Sequence, residues 1–288
     1  MTQDLNTPMR VPDTLEGDED VPLPGGMSDQ EYVDQVNRAE GLGLSEKPTP
    51  PVMDHPVDLT VDLPVPIEHP TEGQLRRAEV RELNGEDEEY FAKGRDDGAK
   101  ITRLVARGTV SLDGVDVDEA LISSMPIGNR DTLMLAIRRA TYGDDLDLDL
   151  VCNACGAENG IIVDLVKEVD VKTAKTTATV EFRRGGSAKI RWPNPDDESA
   201  IRLAAEKNKN MTMAELNSML IGRVLLEVNG QDAFGEQTAK QLKMPDRRDI
   251  VDFLAEEQPG PLFDKIEHEC VECGRKSPVK IGYDELFR

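Results

Sequence analysis

Four cysteines in two tight pairs are the residues of this sequence with the clearest chemical potential. Cys152-Asn153-Ala154-Cys155-Gly156 and Cys270-Val271-Glu272-Cys273-Gly274 are two copies of one local device. Two residues between thiolates let the chain turn so that both sulfurs reach one tetrahedral ion, and the glycine that follows takes the backbone angle the turn demands. In a reducing compartment this usage points to metal before disulfide. Four thiolates close a tetrahedral shell and leave no place for a bound water, so the expected cofactor is one structural Zn2+ per chain on Cys152, Cys155, Cys270 and Cys273. Free thiols are the nearest alternative; a redox pair fits worse, since no thioredoxin-like βαβ pattern surrounds either motif.

The separation of the pairs constrains the architecture. Between them lie 114 residues (270 − 155 − 1), whereas a compact ribbon has about 15–20. Residues 166–262 are therefore expected to form an insertion that the metal closes.

Other chemistry is poorly represented. The only histidines are His55, His69 and His268, and the GxSxG, Walker-A and GxGxxG patterns are missing, so no catalytic residues are assigned and the chain reads as a non-enzyme. His268 stands close enough to Cys270 to compete for the metal, but is expected to decorate a strand. The acids Asp145, Asp147 and Asp149 do not make a calcium loop, which needs Gly and Glu where this chain has Leu150 and Gly156. A basic cluster of Arg183, Arg184, Lys189 and Arg191 beside Trp192 could touch nucleic acid. With a formal net charge of −23, a solvated hairpin face or a site for an acidic partner is the preferred reading.

The knuckles must be positioned by the elements around them. Asp145 to Cys152 alternates strictly, with Leu146, Leu148 and Leu150 on one face, predicting a half-buried strand. Ile161–Leu165, Phe263–His268 and Pro278–Ile281 supply the other β-like flanks. Ahead of the first knuckle, Met125 to Gly143 predicts one amphipathic helix: Asn129 can cap it, Leu133, Ala136, Ile137 and Ala140 repeat at helical spacing, and Gly143 stops it. Earlier still, Ala78–Leu83 reads as a strand, Asn84 as an N-cap, Asp97–Arg107 as a helix and Thr109–Val117 as a hairpin around Gly114. Between the knuckles, Ala178–Arg184 and Ala188–Trp192 flank Gly185-Gly186 in a hairpin. Three helices follow, opened by Asn194-Pro195, by Thr212 with Glu215 (through about Val228), and by Pro245-Asp246. No internal repeat is legible beyond the two knuckles.

Apolar residues make up 38% and aromatics 4%, low enough to place part of the chain outside the core. Eleven of the 18 prolines lie between Pro8 and Pro70, and the first seventy residues carry fifteen acidic against three basic side chains. Within this arm Ser28–Gly43 could form one short helix. Val57–Ile67, broken by Pro64 and Pro66, suits an extended segment lying along another surface. Order is expected from about Arg76, and disorder and docking remain alternatives for the arm. Met1 to Pro12 lacks the pattern of a secretory signal, and no apolar run approaches the roughly 20 residues of a membrane span, so a soluble chain made in the cytosol is expected. The strong negative charge argues against generic nucleic-acid binding.

The expected fold class is α+β: a small mixed domain whose zinc-ribbon-like four-cysteine site is split by a hairpin-plus-helices insertion, with an extended N-terminal arm. Its divisions are the acidic arm 1–75, an α/β part 76–151, and the four-cysteine zinc-ribbon region 152–288 with its inserted helical subdomain 166–262.

Three stretches together are recognisable: Arg81-Glu-Leu-Asn-Gly-Glu-Asp-Glu-Glu89; Met125-Pro-Ile-Gly-Asn-Arg-Asp131 leading into Leu135-Ala-Ile-Arg-Arg139 and Tyr142-Gly-Asp144; and Cys152-x-x-Cys155-Gly156. With the closing Cys270-x-x-Cys273-Gly and the tail Tyr283-Asp-Glu-Leu-Phe287, the chain from about residue 76 to 288 resembles the T-even-phage baseplate protein family of contractile-tailed phages. The resemblance implies a non-enzymatic part of the virion's tail baseplate near the hub, with other baseplate and tail proteins as partners, or a cytosolic factor needed to assemble it. A nucleic-acid-binding ribbon module is the third reading. The acidic arm is not part of the pattern.

Overall fold

The computed structural model describes residues 59–279 and 281–287. The expected helix at Ser28–Gly43 and His55 lie outside the described residues. Within them the fold is mixed α+β, as expected: small antiparallel sheets interleaved with helices.

The first sheet has the order β1-β2-β3, from β1 (Leu59–His69), β2 (Gly73–Val80) and β3 (Thr109–Leu112). Leu59, the first described residue, is already in a strand, seventeen residues before the expected start of order at Arg76 (76 − 59). The prolines that broke the alternation, Pro64 and Pro66, fall where the β1/β2 register slips, between Asp62 and Ile67, as proline must where it cannot donate to a ladder. Between β2 and β3 run α1 (Gly85–Ala92) and α2 (Asp97–Gly108). Asn84 caps α1 in a capping box with Asp87. The hairpin expected at Thr109–Val117 is reduced to one bridge, Leu112↔Val115, because β3 pairs with β2 instead.

After α3 (Glu119–Ser124), α4 (Ile127–Tyr142) is buried on all sides through Arg138 and is not amphipathic. It packs on β1, α2 and the two-residue strand β11 (Gly260–Pro261). Gly128 makes the last approach possible: a Cβ there would stand 1.8 Å from the Pro259 carbonyl oxygen. Asn129 does not cap this helix, since the N-cap position is Pro126. The Asn129 side chain is spent on the slip in β1, where its Oδ1 accepts from Val65 N–H (2.9 Å) and its Nδ2 donates to Val65 O (2.8 Å). It replaces the missing strand partner for a fully buried residue. Asn129→Leu leaves both backbone groups buried and unpaired, and is expected to cost roughly 2–4 kcal/mol in urea denaturation; a loss below about 1 kcal/mol would show that β1 is held otherwise.

β4 (Asp145–Val151) and β5 (Glu158–Asp164) form the first knuckle hairpin. β6 (Val171–Lys172) pairs with β11. The expected hairpin around Gly185-Gly186 is β7 (Thr177–Glu181) with β8 (Ser187–Arg191). It is extended by β9 (Leu225–Val228) and β10 (Gln231–Asp232) into a sheet of order β10-β9-β8-β7. The helix expected to run to Val228 ends sooner: α6 (Met213–Val224) stops where Leu225 turns extended, because the open edge of β8 takes Leu225–Val228 as a strand. α5 (Pro195–Lys207) and α8 (Met244–Glu257) stand where expected, and α7 (Gly235–Gln241) is additional. β12 (Glu267–Glu269) and β13 (Lys276–Pro278) form the second knuckle hairpin, followed by α9 (Tyr283–Leu286).

Apolar side chains gather in two clusters. One joins the first sheet, α2, α4 and both knuckle hairpins through Leu146, Leu148, Val163, Ile266, Val279 and Ile281. The other joins β7–β9 with α6–α8 and receives Val65 from β1.

Candidate metal centre

The first knuckle is aimed by the end of α4. Gly143 (φ 87°) stops the helix, and Arg138, lying over the Tyr142 ring, donates to the carbonyls of Gly143 (3.0 Å) and Asp145 (3.1 Å). This fixes how the chain leaves the helix and enters β4. Leu146 and Leu148 then bury one face of the strand while Asp145, Asp147 and Asp149 stay in water. The hairpin closes at the knuckle through Cys152 N–H to Ala157 O and Gly156 N–H to Cys152 O, both 2.8 Å, with Gly156 at φ 76°. The second knuckle repeats these bonds: Cys270 N–H to Arg275 O (3.0 Å) and Gly274 N–H to Cys270 O (2.9 Å), with Gly274 at φ 68°.

The 114 intervening residues (270 − 155 − 1) bring the four sulfurs together. Sγ of Cys152 lies 3.7 Å from that of Cys273, Sγ of Cys155 lies 3.7 Å from that of Cys270, and all four fall within 4.8 Å of one another. A tetrahedral shell with metal–sulfur bonds of ~2.3 Å has edges of ~3.8 Å, so the cluster could hold one metal ion without rearrangement. Cys152 and Cys270 are buried, and Cys155 and Cys273 face solvent.

The electrostatics favour a cation. Backbone N–H groups of Cys273 and Glu272 directed at the Cys270 sulfur lower its pKa to about 6. Those of Ala154 and Cys155 lower that of Cys152. The Ala157 N–H also favours ionised Cys155, but the neighbouring sulfurs of Cys273, Cys152 and Cys270 together with desolvation outweigh it and push that thiol up to about 12. Without a positive ion the cluster resists full ionisation; a soft divalent metal removes the conflict.

Asn159, which the sequence did not single out, adds a direct tie between the knuckles. It is buried on β5 and accepts the Val271 N–H at 3.0 Å, while its amide donates to Ala157 O. Only its place in an otherwise alternating strand sets it apart in the sequence. His268 stands on β12 opposite Ser277 and lies outside the four-sulfur cluster. It lines an open cleft of about 840 Å³ between β4 and β13, and its Nε2 is buried without a hydrogen-bond partner.

The basic hairpin does not form a cation–aromatic surface. Arg183 pairs with Asp249, Lys189 with Glu227 and Arg191 with Asp197. Trp192 is buried, donates to Lys175 O and stacks on Phe253. Among the described residues, no helix is long and apolar enough to cross a membrane.

Compared with known proteins, residues 77–287 match the model of a family described as T4 bacteriophage base plate protein. No curated protein and no solved structure matches.

Proposed function

Because the chain belongs to the T4 bacteriophage base plate protein family, we propose that it is a structural, non-enzymatic component of a contractile-tail baseplate, seated in the hub region and holding neighbouring baseplate and tail subunits together. The observation that carries this reading is the family match over residues 77–287. The chemistry of the centre agrees with it: four thiolates of Cys152, Cys155, Cys270 and Cys273 suit one Zn2+ that closes its own shell and ties loop-rich structure together, a useful property in a particle that must survive outside the cell. When bound, the zinc supplies cross-linking and no open coordination position. The acidic, proline-rich residues ahead of β1 give the protein a segment with which to contact neighbouring subunits.

Quantitative mass spectrometry of purified phage particles tests this role. A fixed low copy number relative to known tail proteins is the expected result. Absence from particles whose assembly still requires the gene would replace the virion role with that of a cytosolic assembly chaperone.

A further inference from the structure

The chain shows no repeat at a fixed period, yet its two halves are built in the same order. β2 leads through α1 and α2 to β3, which returns to pair with β2; β8 leads through α5 and α6 to β9, which returns to pair with β8. The registers coincide. Ala78↔Leu112, Glu79↔Ser111 and Val80↔Thr109 are matched by Ala188↔Val228, Lys189↔Glu227 and Ile190↔Leu225, and the irregularity falls at the same step, Glu79/Val80 and Lys189/Ile190. Each third strand ends in two positive-φ residues, Asp113-Gly114 and Asn229-Gly230. The first side chain of each turn reaches back to a backbone N–H of the second strand: Asp113 Oδ2 accepts from Arg77 (3.0 Å) and Asn229 Oδ1 from Ser187 (2.9 Å).

A buried ion cluster recurs at the same place. Arg81, Asn84 and Asp87 correspond to Arg191, Asn194 and Asp197, a constant offset of 110 residues (191 − 81, 194 − 84, 197 − 87). In each, the asparagine caps a helix, the aspartate closes the capping box, and the preceding arginine forks that carboxylate while donating to the next carbonyl, Glu82 O or Trp192 O. A second arginine from the last turn of the following helix, Arg107 or Arg223, completes the cluster at 2.9 and 2.8 Å. A short helix and a long one follow in both halves, α3–α4 and α7–α8, and each half ends in a Cys-x-x-Cys-Gly hairpin with the matched bonds described above. Any one of these features recurs by chance; a shared register, slip, turn, ion cluster and knuckle in one order do not.

We infer that the described part of the chain contains two copies of one structural unit, Arg77–Val163 and Ser187–Ile281, and that the four-sulfur centre is their common clasp, with one Cys-x-x-Cys from each. Two thiolates cannot complete a tetrahedral shell, so neither knuckle is a site without the other. The units also interlock around it. Ile266, Val279 and Ile281 of the second knuckle hairpin are buried with Leu146, Leu148 and Val163 of the first, while Val65, beside the first unit on β1, is buried in the second cluster. The inference rests on the metal reading above but is independent of the baseplate role.

Peptide-resolved hydrogen exchange on the purified full-length chain tests it. Loaded with Zn2+ and then chelated, the protein is expected to lose protection at least tenfold in β4–β5 and β12–β13 together, with the sheets β1-β2-β3 and β7-β8-β9 retained. Serine at either pair, Cys152/Cys155 or Cys270/Cys273, is expected to take zinc from one per chain to none. As milder variants, Asn84→Ala should speed exchange about fivefold in α1, α2, β2 and β3 only, and Asn194→Ala in α5, α6, β8 and β9 only. One hairpin opening without the other, zinc retained by one pair, or a cap variant loosening both halves equally would overturn the inference. All readouts use the isolated protein, so their failure leaves the particle experiment unaffected, and the reverse.

Discussion

Cys270→Ser is expected to release the metal altogether and to lower stability on the order of 4–5 kcal/mol, the range in which loss of a structural metal falls. For a chain of this size that corresponds to a fall in melting temperature of roughly 10 °C or more. The reason is both chemical and topological. A serine hydroxyl is neither soft nor ionised at neutral pH, so the second knuckle keeps a single sulfur and the four-sulfur shell can no longer close. Cys270 is also the buried member of its pair and the one that its backbone N–H donors bring to about 6, so it is the sulfur most ready to bind. Because metal must displace the proton from Cys155, which is pushed up to about 12, affinity should rise with pH and fall on acidification. Elemental analysis with a thermal melt checks the prediction; one retained equivalent and a melt within a few degrees of the parent would defeat it.

The four-cysteine cluster is legible before the fold because its signal is covalent spacing: two residues between cysteines and a following glycine are sufficient to specify a knuckle. That two knuckles so far apart would meet follows from the chemistry of a four-coordinate ion, not from any pattern between them. The structure brings their sulfurs within 4.8 Å. Elements with strong local signals also stand where expected, such as the helix caps at Asn194 and Thr212. The failures share a cause. Leu225–Val228 continues a helical pattern and becomes β9 only because β8, more than thirty residues earlier (225 − 191 = 34), offers an edge. Asn129 looks like a cap because its partner, Val65, is 64 residues away. The repeat is hidden because the spacing is not kept: Asp87 and Asp197 differ by 110 residues (197 − 87) but the two knuckles by 118 (270 − 152). Only special positions survive, and their meaning is tertiary.

Asp197→Asn should cost about 3 kcal/mol, the lower end of the range for breaking a buried ion pair. The carboxylate is 2% exposed and accepts from Arg191 at 2.7 and 2.9 Å and from Arg223 at 2.8 Å, besides the Asn194 N–H. An asparagine of the same shape keeps one acceptor and presents an amide where a guanidinium needs an anion. Arg191 and Arg223 are each about one-third exposed and can rehydrate, which holds the loss below that of a fully enclosed cluster. The pH dependence has a definite sign. Burial alone would raise the Asp197 pKa, but the Arg191 and Arg223 hydrogen bonds and the Asn194 backbone outweigh it and hold the group below the ordinary 3.8. Against the same effect of burial, Asp87 is lowered in the same way by Arg81, Asn84 and Arg107. A carboxylate with a depressed folded pKa contributes its stability fully above the unfolded value and loses it as pH falls through the folded one. Parent and variant should therefore converge in stability below about pH 4 and differ most near neutrality. Urea titrations of both proteins across that window decide it; a difference that persisted unchanged into acid would mean that Asp197 acts through shape, and not through its charge.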